Sequence, residues 1–150
     1  AARTLGALPG DDLTGDLLQA QGLVTSSEEY YPTVAINALM RVLRDRSMGS
    51  HHSEVVKSIM SIFAALGVGC VPYLAKVMPV LFQCMRECDD ELREYMFQQL
   101  SGLVHLVRQH IRKYLPELLQ VVHQYWQSPP RLRMHILNLL SALSNVLRDD

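Results

Sequence analysis

The chain lacks any imbalance of charge. Fourteen Lys and Arg stand against 15 Asp and Glu, a net charge of −1 over 150 residues, and this excludes the global basic field that nucleic-acid and anionic-lipid binders use. Cysteine is scarce and odd in number. Cys70, Cys84 and Cys88 show no C-x-x-C spacing, which argues against a disulfide framework or a zinc site. Cys84 and Cys88 lie four apart and share a helix face, but no neighbouring His pair completes a tetrahedral set, so reduced, half-buried thiols packed as small hydrophobes are expected. No apolar run is long enough to span a bilayer, so no membrane insertion is expected. Period-two runs bounded by hairpin turns are missing too, which removes the β classes. The start, Ala1-Ala2-Arg3-Thr4, has neither an initiator Met nor a signal-peptide pattern, so the chain reads as an excerpt of something longer.

What is there is apolar and helical in spacing. Apolar residues make up 49% and charged residues 19%, enough for a real core in a single domain's length of chain. Leucine is the commonest residue, with Val, Ile and Met following at helical intervals, so the expected fold is all-α. Residues 1–10 read as the end of a preceding helix, stopped by Pro9-Gly10. Residues 11–29 are acidic and weakly periodic and read as an acidic flexible linker.

From residue 30 the pattern tightens into six helices. The first opens at Tyr31-Pro32 and puts Ala35, Ile36, Leu39, Met40 and Leu43 on one face. A loop follows at 47–52. The second runs from Ser53 to Leu66, with Val55, Ile59, Met60, Phe63 and Leu66 inward, and stops at Gly67-Val68-Gly69. The third starts at Val71-Pro72, carries Pro79 inside and is expected to kink there. Asp89 or Asp90 caps the fourth, which reaches about His110. The fifth covers Lys113 to Trp126 with Pro116 in its first turn, and the sixth covers Arg131 to Leu147.

Self-similarity turns six helices into three hairpins. Tyr73-Leu74-x-x-Val77-Met78 recurs as Tyr114-Leu115-x-x-Leu118-Leu119. Leu92, Met96, Phe97, Leu100 and Leu103 recur as Leu132, Ile136, Leu137, Leu140 and Leu143. The first pair of helices fits the same frame. This spacing is close to the ~40–47-residue period of two-helix HEAT and armadillo units. One hairpin cannot cover its own apolar face, so neighbours must stack on it. The expected architecture is therefore a HEAT-like α-solenoid of about three hairpins, near 30–68, 69–110 and 111–150.

The motifs Glu29-Tyr30-Tyr31-Pro32-x-Val34-Ala35, Leu43-Arg44-Asp45, His51-His52, Val77-Met78-Pro79, Arg93-Glu94-Tyr95-Met96-Phe97-Gln98-Gln99-Leu100 and His110-Ile111-Arg112-x-Tyr114 occur in order. Together they resemble the mid-solenoid of the target of rapamycin (TOR) protein kinases, over about residues 28–127. Residues 128–150 match more weakly, and Pro9-Gly10 departs from the family's Asp-Pro ending. The resemblance implies a large, dimeric serine/threonine kinase of the phosphatidylinositol-3-kinase-related class. Its setting would be nutrient and growth signalling in the cytoplasm, with recruitment to endomembranes. It also implies that this segment is non-catalytic scaffold, meeting same-chain repeats, a second protomer and accessory subunits. ATP and Mg²⁺ would belong to a kinase domain elsewhere in that parent.

The residues themselves offer no catalytic, cofactor or metal set. Gly67-Val68-Gly69 has no preceding strand and reads as a helix stop, not a phosphate loop. Arg44-Asp45 lacks the following Asn of a kinase catalytic loop. His51-His52 is the sharpest polar pair, read as an exposed or helix-capping pair before a zinc site. The candidate interface residues are Tyr125 and Trp126, as aromatic anchors, with the cations Arg108, Arg112, Lys113, Arg131 and Arg133 as a ridge for an acidic partner. Nucleic acid is not expected, because no aromatics interleave with these cations. A free-standing repeat adaptor binding protein or peptide partners is the alternative function.

Overall fold

A computed structural model describes residues 30–148. The expected helix end at 1–10 and linker at 11–29 lie outside the described residues. The rest is all-α: six α-helices and three 3₁₀ segments, with no strand among the described residues. The chain divides into two units at the Ala65–Leu66 bond.

In the first unit, α1 spans Tyr30–Arg44. Pro32 sits in its opening turn, where a missing N–H leaves no bond unmade. Ala35, Ile36, Leu39, Met40 and Leu43 form one buried stripe, as their spacing demands. Asp45 is extended, and its carboxylate accepts from the Ser47 backbone N–H at 3.0 Å and the Ser47 hydroxyl at 2.6 Å. That bond pair starts two short 3₁₀ turns within Arg46–His51, broken by a kink at Met48 with φ −99 and ψ 24, where a loop was expected. Helix α2 then spans His52–Leu66. Its inward face holds Val55, Val56, Ile59, Ile62 and Phe63, while Met60 and Leu66 are only half-buried. His52 is buried on the same face.

In the second unit, Gly67 ends α2 with φ +59, a left-handed conformation that glycine alone adopts without strain. After a 3₁₀ turn, α3 spans Val71–Glu87 and continues through Pro79. Pro79 and the residue whose carbonyl it orphans, Ala75, are both exposed, so water can take the freed acceptor. Helix α4 spans Asp90–Val107; Asp89 caps it by accepting from the Leu92 N–H at 2.9 Å. The expected continuation to His110 is instead a further 3₁₀ segment, Arg108–Tyr114. Helices α5, Leu115–Tyr125, and α6, Pro130–Leu147, complete the unit. Helix α4 packs chiefly on α6, and α3 lies against both α4 and α5. First helices therefore layer on first helices and second on second, and Phe82, Phe97, Leu100 and Ile136 are buried in this packing. Each such side chain contributes about 1.5–3 kcal/mol on leaving water.

The stretch Arg46–Glu87 is, by length and composition, apolar enough to cross a membrane. Yet it is not one helix: α2 has 15 residues and α3 has 17, with the Gly67 turn between them. Each is shorter than the ~20 residues a spanning helix needs.

Candidate functional site

The polar centre of the second unit is Arg93. Its place follows from periodicity, since it precedes Met96 and Phe97 by one helical turn and shares their inward face. It is 7% exposed, and a buried guanidinium is tolerable only when its donors are satisfied. Nε donates to the Met85 carbonyl, Nη2 to the Cys88 carbonyl and Nη1 to the Asp90 carboxylate, each at 2.7 Å. Two of these bonds close carbonyls at the C-terminal end of α3 that have no helical partner. The planar fork makes this possible; an ammonium has no such geometry. Above it lies the Tyr125 ring, 4.3 Å from Cζ to centroid. Tyr125 also meets Phe97 edge to face, with centroids 6.5 Å apart. One residue of α4 thus ties off α3 and seats the end of α5.

Further polar contacts run between the same layers. Arg86 on α3 meets Glu117 on α5 at 3.4 Å. Glu94 on α4 meets Arg131 at 2.9 Å and His135 at 3.3 Å, both on α6. Partly exposed pairs of this kind add about 0–1 kcal/mol each and serve mainly to set register.

The seven candidate interface residues fall in different places. Tyr125 is turned onto Arg93 and Phe97. Trp126 is half-buried and lies under Arg133, 5.4 Å from Cζ to centroid. Arg131 and Arg133 are exposed in the first turn of α6. Arg108, Arg112 and Lys113 are exposed on the 3₁₀ segment that follows α4. The Glu94 pairs put the start of α6 beside the start of α4. The two groups of cations therefore sit at opposite ends of α4, about 25 Å apart along its 18 residues. They do not form one ridge.

His52 plays in the first unit the part Arg93 plays in the second. Its Nε2 lies 3.0 Å from the carbonyls of both Val42 and Asp45. Both partners only accept, so Nε2 carries the hydrogen and caps α1. His51 does not join it in a metal set: among the described residues no three His, Cys, Asp or Glu side chains converge on a point that holds a metal. Gly67-Val68-Gly69 is a 3₁₀ turn between helices, without the strand and lysine that a phosphate cradle needs.

Burial pushes the thiols up, Cys84 to about 12 and Cys88 to about 11, the opposite of what a nucleophilic cysteine requires. The Asp45 carboxyl lies below its ordinary value because Ser47 donates to it twice. Sequence reasoning missed Arg93 as a functional residue. The signal was a charged residue in register with an apolar stripe, visible at Leu92-Arg93-x-x-Met96-Phe97.

Comparison with known proteins adds the family. A family model described as the serine/threonine-protein kinase mTOR domain matches residues 10–108. The serine/threonine-protein kinase TOR of Arabidopsis thaliana is 49% identical over 132 residues, covering 83% of this chain and 5% of that protein. Its counterpart in Oryza sativa subsp. japonica is 52% identical over 105 residues, 69% of this chain and 4% of that protein. The serine/threonine-protein kinase mTor of Drosophila melanogaster is 40% identical over 137 residues, 91% of this chain and 6% of that protein. The chain spans about one-twentieth of the length of these relatives. It belongs to the mTOR-domain family of the TOR serine/threonine-protein kinases.

Proposed function

We propose that this chain is a non-catalytic, HEAT-like scaffold segment of a TOR-type serine/threonine kinase acting in nutrient and growth signalling. It would work in the cytoplasm, with the parent recruited to endomembranes and with ATP and Mg²⁺ used by a kinase domain elsewhere in it. Its role is geometric: stacked hairpins hold surfaces for a second protomer and for accessory subunits at fixed positions.

One observation carries this reading. Within the second unit, the α3–α4 hairpin is covered by α5–α6, through Tyr125 on Arg93 and Phe97. The corresponding positions of α5–α6 are apolar and exposed: Leu119 at 42% and Leu137 at 53%. Apolar residues at positions that the preceding hairpin has covered support a role in assembly.

Two measurements test it. The 150-residue chain incubated with ATP, Mg²⁺ and a generic Ser/Thr substrate should transfer no phosphate above background; ATP-dependent transfer overturns the reading. In the full-length kinase, L119D with L137D should lower co-purification of a second protomer or of accessory subunits. A double variant whose assembly and expression both match wild type overturns the scaffold role. Reading frames that stop soon after Asp150 would instead favour the free-standing adaptor.

A further inference from the structure

The turn between α1 and α2 holds a serine that its sequence sets apart. Ser47 closes the run Arg44-Asp45-Arg46-Ser47, and it is the only Ser or Thr of the chain with a cation three residues before it. Arg44 and Ser47 are both exposed. No residue of Arg46–His51 is buried, and the kink at Met48 already divides the segment. Lifting it from the surface therefore uncovers no core, and segments of this kind open locally at small cost. Its two ends stay held, by α1 on one side and by the buried His52 on the other.

The same serine holds the turn shut. Its hydroxyl donates to the Asp45 carboxylate at 2.6 Å, and its backbone N–H donates to the same oxygen at 3.0 Å. The Asp45 carbonyl in turn accepts from the Met48 N–H and from His52, each at 3.0 Å. Asp45 is thus the hub of the turn. It is ionised at neutral pH, since Ser47 keeps its carboxyl below the ordinary value.

We propose that Ser47 is a phosphorylation site for a basophilic serine/threonine kinase. Such an enzyme carries carboxylates in its substrate groove that read an arginine three residues before the acceptor hydroxyl. Arg44 is the residue read, through the paired bonds that guanidinium and carboxylate form. In the step, Ser47 Oγ attacks the γ-phosphorus of ATP. The Oγ–P bond forms, the bond from that phosphorus to the β,γ-bridging oxygen breaks, ADP leaves, and the hydroxyl proton passes to the kinase's catalytic aspartate. The product has lost the donor that Asp45 accepted. It sets a charge of about −1.5 to −2 beside the Asp45 carboxylate, and like charges so placed disrupt. Phosphorylation therefore opens the turn that links α1 to α2.

The test incubates the full chain with ATP, Mg²⁺ and the catalytic subunit of cyclic-AMP-dependent protein kinase, a basophilic enzyme. Mass spectrometry with fragmentation should place the phosphate on Ser47, and S47A should take up none there. R44Q should lower kcat/KM about tenfold or more and, being exposed, should melt as wild type does, which separates lost recognition from misfolding. K57A, on exposed α2 surface, should leave the rate unchanged. A kinase of opposite preference, with a basic groove for acidic substrates, should leave Ser47 unlabelled. The phosphorylated chain should melt about 2–4 °C below the unmodified one. In D45N, which keeps an acceptor oxygen without the charge, that drop should shrink by about half or more. Phosphate on another residue in place of Ser47, a wild-type rate in R44Q, or labelling of Ser47 by the acid-directed kinase overturns the site. Unchanged melting after modification, or an equal drop in D45N, overturns its action on the turn.

Discussion

Phe97 and Leu137 occupy the same register in α4 and α6, yet Phe97 is 0% exposed and Leu137 53%. Met78 and Leu119 make the same contrast in α3 and α5: one is buried and the other exposed. Arg93 and Arg133 extend it. The first is buried with three hydrogen bonds; the second is exposed and lies over Trp126. The two hairpins are alike in pattern and differ in what covers them. In a repeat fold, burial belongs to the neighbour as much as to the residue.

The contrast is most sharply tested by truncation. Phe97→Ala should destabilise by about 3–5 kcal/mol and Leu100→Ala by about 2–5 kcal/mol, as buried truncations do. Urea midpoints equal to wild type would mean that α4 presents a different face. Arg93→Met should come next, at about 2–4 kcal/mol, because the Cys88 carbonyl loses the Arg93 donor and the buried Met85 carbonyl keeps only the weak Cys88 thiol contact at 3.6 Å. Arg133→Met should cost less than about 0.5 kcal/mol, and equal losses at the two positions would erase the contrast. His52→Ala carries the comparison into the first unit. The Val42 and Asp45 carbonyls keep the backbone N–H donors of Asp45 and Met48, so losing the His52 bonds should cost about 0.5–1.5 kcal/mol, read as a lowered thermal midpoint.

The buried thiols give a pH test. Folding holds Cys84 and Cys88 protonated, raising them from 9.0 to about 12 and about 11. Their contribution to stability is complete below the ordinary thiol range and is lost as pH rises through the folded values. The alkaline fall in urea midpoint should be shallower in C84A/C88A than in wild type; parallel curves would place the thiols at the surface. The smallest effect belongs to Leu137→Ala, which should shift stability by less than about 0.5 kcal/mol. A larger loss would show that something in this chain covers α6.

Much of the helical layout was legible in residue spacing. The α1 stripe and the stops at Gly67 and Pro129-Pro130 match the observed helices within a few residues. The 3₁₀ segments after α1 and α4 were not legible. They depend on Ser47 donating to Asp45 and on Arg108 taking a positive φ, which no periodicity encodes. The candidate interface was read as one ridge from five cations close in sequence. The length of α4 separates them into two groups, because spacing along a chain says little about distance once a helix intervenes.

Sequence by itself determined that the chain is helical, where its helices start and stop, and that its hairpins repeat, because apolar period, proline and glycine act over a few residues. Only tertiary structure decided which equivalent positions are covered. It made His52 and Arg93 internal caps, and it turned Tyr125 onto Arg93 while leaving Leu137 outside. Those outcomes depend on donors, acceptors and rings brought together from different helices, and that proximity exists only once the layers have packed.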